Sequence, residues 1–270
     1  MLPGLPGLRF AHAHVGTGPR LHYAEQGDAD GKAVVFLHGW PDSWFSFSRV
    51  LPLLSPRFHA FVLDQRGFGD SERPDAGYRV DDFAADAVAF LDAVALPRAI
   101  FVGHSFGSLV ARRIAIAYPE RVARLVLIGT GVTRGNPVLQ EAGATMRGLE
   151  DPIPVEFARE FQASTAYAAI PEAFFERIVA ESMKLPSRLW RAIFDEIVAY
   201  DDAAEVERIN APTLLIWGEH DALFPRADQD RLVAAIRGAR LKVYAATGHC
   251  PNWEFPERVA AEIEEFLEKS

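Results

Sequence analysis

Residues 99–107 read AIFVGHSFG, and this stretch decides the fold class of the chain. Its first four residues form an apolar run with the length and composition of a buried strand, and the segment that begins at Phe106 has helical periodicity. A serine at a sharp turn between a strand and a helix is held in a strained backbone conformation, and large side chains two positions before and after it would collide. Gly103 and Gly107 meet this requirement. The spacing therefore predicts that Ser105 is a nucleophile at the carboxyl end of a strand.

The rest of the chain alternates short apolar runs with longer amphipathic segments. This alternation predicts an α/β fold with a mostly parallel eight-stranded sheet flanked by helices, in which the first two strands have the polar and apolar alternation of antiparallel strands. The predicted strands are residues 8–14, 21–25, 34–37, 59–63, 99–102, 125–128, 213–217 and 241–244. The predicted helices of the core are residues 44–54, 80–94, 106–118, 226–237 and 256–268.

One segment interrupts the alternation. Residues 131–207 contain no good strand and instead have helical stretches that are separated by prolines and rich in aromatic residues. We predict a helical lid over 131–207, inserted between the two parts of the core domain, residues 1–130 and 208–270. Most of its aromatic side chains are explained by a small core of the insertion itself. Because open α/β sheets bind ligands at the carboxyl ends of their strands, this lid is expected to cover a pocket.

The charge and the apolar patterning exclude several classes of partner. The chain has 270 residues, with 28 Lys and Arg against 37 Asp and Glu, which gives a formal net charge of −9 at pH 7. Because no basic stripe offsets this charge, we expect no nucleic acid partner. The apolar runs are far shorter than the roughly 20 residues that a membrane-spanning helix needs, so we expect no membrane partner.

The cysteine content and the N-terminal residues bear on cofactors and on the cellular compartment. Cys250 has no partner for an intrachain disulfide, and no His/Cys cluster has the spacing of a structural zinc site, so no metal is predicted. The pair Gly67 and Gly69 is not followed by the third glycine of a dinucleotide-binding loop. Residues 1–8 lack the basic start of a secretory signal and contain two prolines. The sequence therefore predicts a cytoplasmic protein without a cofactor.

A serine nucleophile needs a base and an acid that orients the base. His249 follows the last predicted strand, at the carboxyl end of the sheet, and is our choice among the eight histidines. Asp221 follows the preceding predicted strand and is our choice for the acid, with Glu219 as a rival in the same loop. Asp64 also follows a strand, and we assign it to a hydrogen-bonded turn. The chain order of Ser105, Asp221 and His249 is that of hydrolases built on this type of sheet.

The reaction of such a serine also needs two backbone N–H groups that stabilise the oxyanion. One is predicted to be the amide of Phe106, which follows the nucleophile, and the other to be the amide of Trp40 in the loop after the strand 34–37. Gly39 lets the backbone approach closely, and Pro41 makes the loop rigid. Trp40 can also contribute its side chain to the wall of a pocket.

Taken together, these motifs resemble those of the α/β-hydrolase fold family along nearly the whole chain. The motifs HGWP at 38–41, DQRGFGDS at 64–71, GHSFG at 103–107, GEHD at 218–221 and GH at 248–249 stand in the order of that family. The serine makes the chain similar to the branch of esterases, lipases and cofactor-free haloperoxidases, which are perhydrolases. The HGWP loop is also similar to that of epoxide hydrolases and haloalkane dehalogenases, which have an aspartate where this chain has its serine. A further departure is Ser108, where many relatives have a second glycine.

The residues and the resemblance lead to one predicted function. We predict a serine hydrolase that cleaves carboxylic esters of small, uncharged, apolar substrates through an acyl-enzyme, with no cofactor. A perhydrolase, a lactonase or a C–C bond hydrolase with the same triad is the alternative within the fold. A non-catalytic protein that binds small ligands is the alternative from a different class, because fold does not imply function.

Overall fold

The structure is a computed structural model that describes residues 7–268. Residues 1–6 lie outside the described residues. They make up most of the N-terminal segment 1–8, for which the sequence predicts no secretory signal. Within the described range, one eight-stranded sheet forms the centre of the molecule. Its strands are β1 (Arg9–His14), β2 (Arg20–Gln26), β3 (Lys32–Leu37), β4 (Phe58–Leu63), β5 (Ala99–His104), β6 (Val122–Ile128), β7 (Thr213–Gly218) and β8 (Arg240–Tyr244).

The strands lie in the order β1-β2-β4-β3-β5-β6-β7-β8. Strand β2 pairs antiparallel with both β1 and β4, and the remaining pairs are parallel. All residues of β4, β5 and β7 are buried, which agrees with strands that are covered on both faces. The predicted mostly parallel eight-stranded sheet is therefore confirmed.

Helices cover both faces of this sheet. They are α1 (Val80–Ala93), α2 (Phe106–Ala117), α3 (Pro137–Arg147), α4 (Val155–Thr165), α5 (Glu172–Ser182), α6 (Ser187–Ala199), α7 (Arg226–Ala235), α8 (Pro251–Glu254) and α9 (Pro256–Glu268). Along β3, Val35 and Leu37 belong to the apolar cluster that α1 and α2 share, whereas Val34 and Phe36 belong to the cluster that includes α9. Successive side chains of a strand point to opposite faces, and this period divides the core into two layers.

The predicted helix over 44–54 is wrong. This stretch forms two short 3₁₀ helices, Trp44–Phe47 and Leu51–Leu53. All residues of the first 3₁₀ helix are buried, so Trp44–Phe47 has no solvent-exposed face like that of an amphipathic helix. The Asp64 carboxylate accepts a hydrogen bond from the Trp44 amide at 2.7 Å, and Pro52 has no N–H group to continue a helix.

The segment between β6 and β7 is helical, as predicted, and contains α3 to α6. Its aromatic residues do not form a separate core. The rings of Phe161, Trp190 and Phe194 have their centroids 4.9 to 5.1 Å from that of Trp40, which follows β3. These side chains therefore belong to the apolar cluster on one face of the sheet. None of the helices within residues 7–268 has the length and the apolar character needed to cross a membrane.

Candidate active site

The turn between β5 and α2 holds Ser105 in an unusual backbone conformation. Its φ of 51° and ψ of −119° fall in a region that side chains other than glycine rarely adopt. A Cβ atom at Gly103 would overlap with the carbonyl of Gly107, and one at Gly107 would overlap with the carbonyl of Leu37. The two glycines therefore allow the backbone to pass closely on both sides of the serine.

A buried polar network supports this turn from below. Ser108 Oγ lies 2.6 Å from the Ser105 carbonyl oxygen and 2.8 Å from Thr130 Oγ1. Since a carbonyl oxygen only accepts, Ser108 donates to Ser105 and Thr130 donates to Ser108. Arg112, which is 1% exposed, contacts Thr130 Oγ1 at 3.3 Å and forms an ion pair with Asp202 at 2.9 Å. The serine at position 108 thus adds a hydrogen bond that glycine could not make.

The structure brings His249 and Asp221 together. His249 Nδ1 lies 2.9 Å from Asp221 Oδ2, and both side chains are buried. The other carboxylate oxygen, Oδ1, accepts hydrogen bonds from the amides of Leu223 and Phe224 at 2.9 and 3.0 Å. These contacts fix the carboxylate and place the imidazole proton on Nδ1. Glu219, the rival acid, is exposed, and within residues 7–268 no hydrogen bond joins its side chain to the His249 imidazole.

The second nitrogen of His249 faces no protein partner. Its Nε2 atom is buried and has no hydrogen-bond partner among the described residues. His249 and Ser105 line the same cavity, together with Trp40 and Phe106. An unprotonated imidazole nitrogen beside a serine hydroxyl can take the proton of that hydroxyl.

The loop after β3 brings Trp40 to the nucleophile. A Cβ atom at Gly39 would lie 3.0 Å from Ser105 Cβ, so the loop passes directly beside the serine. His38 Nδ1 donates to the Gly39 carbonyl at 2.8 Å, and its Nε2 accepts from the Gln65 amide at 3.2 Å. Burial lowers the pKa of the His38 imidazole, which favours this neutral form. The side chain of His38 therefore fixes the backbone orientation of the loop.

The two predicted oxyanion donors lie in different elements: the Trp40 amide lies in the loop after β3, and the Phe106 amide lies at the start of α2. The peptide bond between Trp40 and Pro41 is cis, and the loop is closed by a hydrogen bond from the Asp42 amide to the Gly39 carbonyl at 3.0 Å. Phe106 is the first residue of α2, and the N–H of a first helical residue has no acceptor within the helix. The Phe106 amide can therefore donate to a ligand at this helix N-terminus.

A family model described as the alpha/beta hydrolase fold matches residues 32–256. The chain belongs to the α/β-hydrolase fold family. It is similar to the non-heme chloroperoxidase of Streptomyces lividans, with 31% identity over 276 residues that cover 93% of this chain and 96% of the relative. The predicted resemblance to this family and to its haloperoxidase-like branch is therefore confirmed.

Two further relatives place this α/β-hydrolase among hydrolases. The 2-hydroxy-6-oxononadienedioate/2-hydroxy-6-oxononatrienedioate hydrolase of Paraburkholderia xenovorans is 28% identical over 274 residues, covering 96% of this chain and 94% of the relative. The solved structure of a hydrolase from Pseudomonas aeruginosa PA01 has a TM-score of 0.84 and 27% identity, covering 97% of this chain and 99% of that chain. The shared fold extends over nearly the full length of each relative.

One carboxylate that the sequence analysis missed anchors the His249 loop of this α/β-hydrolase. Glu254 in α8 accepts hydrogen bonds from the amides of Gly248, Tyr167 and Ala168 at 2.9, 3.2 and 2.6 Å. The His249 amide donates to the Thr165 carbonyl at 2.8 Å. Burial raises the pKa of the Glu254 carboxyl, and the backbone hydrogen bonds oppose this shift. Glu254 thus joins the end of α4 to the loop that carries the histidine.

The cavity of this α/β-hydrolase is mostly apolar. None of the described residues that line it is Lys or Arg. The insertion contributes Leu139, Phe161, Phe194 and Ile197 to its wall. Within residues 7–268, Asp42 is the only carboxyl group among the residues that line it. Its position in the cavity is not predictable from the sequence, because a single aspartate after a proline is an ordinary loop residue.

The remaining candidates from the sequence have structural contacts. Asp64 lies 2.8 Å from His22 Nδ1 and accepts hydrogen bonds from the amides of Trp44 and Asp70 at 2.7 and 2.9 Å, so it holds a turn as predicted. Cys250 is buried, its thiol donates to Thr165 Oγ1 at 3.3 Å, and burial raises its pKa well above the usual value. The high pKa keeps this sulfur in the less nucleophilic thiol form.

Proposed function

We propose that the protein is a serine hydrolase that cleaves carboxylic esters of small, uncharged compounds through an acyl-enzyme. The observation that carries this proposal is the geometry of His249, whose Nδ1 lies 2.9 Å from Asp221 Oδ2 while its Nε2 has no partner among residues 7–268. The histidine lines the cavity together with Ser105. A base that is oriented on one side and free on the other is what a serine nucleophile requires.

In the proposed reaction, Ser105 Oγ attacks the ester carbonyl carbon and gives its proton to His249 Nε2. Asp221 stabilises the imidazolium, and the amides of Trp40 and Phe106 stabilise the negative charge on the carbonyl oxygen. His249 then gives the proton to the leaving alcohol, so the ester bond breaks and the acyl group remains on the serine. A water molecule, deprotonated by His249, attacks the acyl carbonyl carbon; the bond to Ser105 Oγ breaks, His249 returns the proton to Ser105 Oγ, and the carboxylic acid leaves.

The character of the cavity supports uncharged substrates. The relative from Paraburkholderia is named for a dienedioate, which is a dicarboxylate. A cavity for such a substrate needs cationic groups to offset the charge, whereas the described residues that line this cavity include no Lys or Arg and do include the carboxyl group of Asp42. C–C bond cleavage of dicarboxylates is for this reason the weaker proposal.

Perhydrolysis is the second candidate, favoured by the similarity to the chloroperoxidase. Hydrogen peroxide would replace water in the attack on the acyl-enzyme, and a peracid would be released. The same Ser105, His249 and Asp221 would act, with the same proton transfers. Adding peroxide, acetate and bromide, which the released peracid oxidises to a brominating agent, and measuring bromination of monochlorodimedone separates this activity from ester hydrolysis.

We propose that residues 131–207 act as a lid over the cavity. Phe161 of α4 and Phe194 of α6 line the cavity and pack against Trp40. A lid of this kind excludes water from the reacting groups and limits the size of the substrate.

Labelling with a fluorophosphonate probe tests the proposed nucleophile. The probe should modify the wild-type protein at Ser105 and leave Ser105→Ala unmodified. The variant should also lose several orders of magnitude in turnover of 4-nitrophenyl butyrate. Ser108→Ala, which keeps the nucleophile, is the matched control and should still be labelled. Labelling of Ser105→Ala at the wild-type rate would contradict the assignment, and an unlabelled, inactive wild type would favour a non-catalytic binding protein.

A further inference from the structure

We infer that Asp42 forms a subsite that binds a hydrogen-bond donor of the substrate, a hydroxyl or an ammonium group. This inference rests on the proposed ester hydrolysis; it narrows the uncharged substrates to those with a hydroxyl group and adds esters that carry an ammonium group. Asp42 lines the same cavity as Ser105 and His249 and is 2% exposed. The triad already has its own carboxylate in Asp221, so the proposed mechanism leaves Asp42 without a role.

The contacts of Asp42 leave part of its hydrogen-bonding capacity unused. Its Oδ1 accepts from Gln162 Nε2 at 2.9 Å, and its Oδ2 accepts from Ser46 Oγ at 3.0 Å. Among the described residues, it forms no ion pair with Lys or Arg. An ionised carboxylate accepts about four hydrogen bonds, so about two acceptor positions are left. A hydrogen-bond donor on the substrate would occupy these acceptor positions. Because a buried carboxyl group with unmade hydrogen bonds raises the free energy of the protein, this contact would favour binding.

Both donors to Asp42 are themselves held in place. Ser46 Oγ accepts a hydrogen bond from Trp253 Nε1 at 2.9 Å, which directs the hydroxyl hydrogen of Ser46 toward Asp42. Gln162 Nε2 also donates to Ser182 Oγ at 2.7 Å, and Ser182 Oγ in turn donates to the Ile178 carbonyl at 2.9 Å. The carboxyl group is therefore positioned before a ligand arrives, as a specificity-determining group must be.

This arrangement distinguishes among substrates. A hydroxyl or ammonium group near Asp42 gains a hydrogen bond, whereas a methyl group of similar size leaves the carboxyl unsatisfied. A carboxylate placed there would repel an ionised Asp42. The subsite therefore selects for donors and against anions within a cavity that is otherwise apolar.

Binding to a protein that cannot turn over the ligand tests the inference. In Ser105→Ala, dissociation constants are measured at pH 8, where Asp42 is ionised, for 4-nitrophenyl phenylacetates that carry a hydroxyl, an aminomethyl or a methyl group at ring position 3 or 4. At one position or more, the hydroxyl or the ammonium ester should bind about tenfold more tightly than the methyl ester, as expected for a hydrogen bond to a charged acceptor. In the double variant that carries both Ser105→Ala and Asp42→Asn, the ratio of the two dissociation constants should fall to about threefold or less.

The matched control is Asp75→Asn, which makes the same change at an exposed carboxyl outside the cavity and should leave the ratio of dissociation constants unchanged. Ratios near one at every ring position in Ser105→Ala would overturn the inference, without requiring that Asp42→Asn folds. A high ratio that survives Asp42→Asn would overturn it as well. Turnover of the same esters by the wild type is measured separately, so that failure of ester hydrolysis is distinguished from failure of the subsite.

Discussion

Replacing Asp42 with asparagine should change how the stability of the protein depends on pH. Burial raises the pKa of the Asp42 carboxyl from 3.8 to about 7, although the hydrogen bonds from Gln162 and Ser46 lower it. The charge of His249 also lowers this pKa, and that of Glu181 raises it. At a pH between 3.8 and about 7, Asp42 in the folded protein keeps a proton that it has released in the unfolded chain.

The sign of the effect follows from this difference in bound protons. The free energy of unfolding falls as the pH rises through the interval, because the unfolded state binds fewer protons than the folded state. A difference of one proton corresponds to about 1.4 kcal/mol per pH unit, so the wild type should lose roughly 3 kcal/mol between pH 5 and pH 7 through this group. Above that pH the loss levels off, since Asp42 is then ionised in both states. Asparagine does not titrate, so the variant should lack this contribution.

Urea unfolding at pH 5, 6, 7 and 8 measures the effect. The quantity of interest is the free energy of unfolding of Asp42→Asn minus that of the wild type, which removes the contribution of the other titrating groups. This difference should shift in favour of the variant by roughly 3 kcal/mol from pH 5 to pH 8. Asp75→Asn, at an exposed carboxyl, serves as the control and should follow the wild type. Parallel curves for Asp42→Asn and the wild type would refute the reasoning, because they would mean that Asp42 is ionised in the folded protein.

Three further predictions concern the base, its anchor and the cavity. Asp221→Asn should lower ester turnover by about 10⁴, because the histidine loses the group that fixes its tautomer, whereas Glu219→Gln should have little effect; the reverse ranking would reassign the acid. Glu254→Gln puts a side-chain amide N–H against backbone N–H groups, so the free energy of unfolding in urea should fall by about 1–3 kcal/mol and kcat should be lower. Glu257→Gln, at an exposed carboxyl, should match the wild type in both measurements. Across 4-nitrophenyl esters of increasing acyl length, kcat/KM should rise about fourfold per methylene and then fall once the cavity is full, and a maximum at long chains would argue against a closed cavity.

Local patterns in the sequence predict the fold because they follow from short-range geometry. The alternation of apolar strands with amphipathic segments predicts the parallel sheet, and the spacing of Gly103, Ser105 and Gly107 predicts the turn that the structure contains. The same reasoning fails for residues 44–54, where complete burial of Trp44–Phe47, an acceptor distant in sequence, Asp64, and the missing N–H of Pro52 accompany two 3₁₀ helices. Periodicity is uninformative for a stretch such as Trp44–Phe47, which has no exposed face.

Contacts between residues that are distant in the sequence are decided only by the tertiary structure. The sequence by itself determined the type of sheet, the strained serine and the chain order of serine, aspartate and histidine. It left Asp221 and Glu219 two positions apart in one loop, and only the folded chain places one of them 2.9 Å from His249. The contact of Asp42 with Gln162 joins residues 120 positions apart, and that of Glu254 with Ala168 joins residues 86 apart. Such contacts leave no periodic pattern in the sequence. The role of a carboxyl group depends on its burial and on its partners, and both are set by the packing of the whole chain.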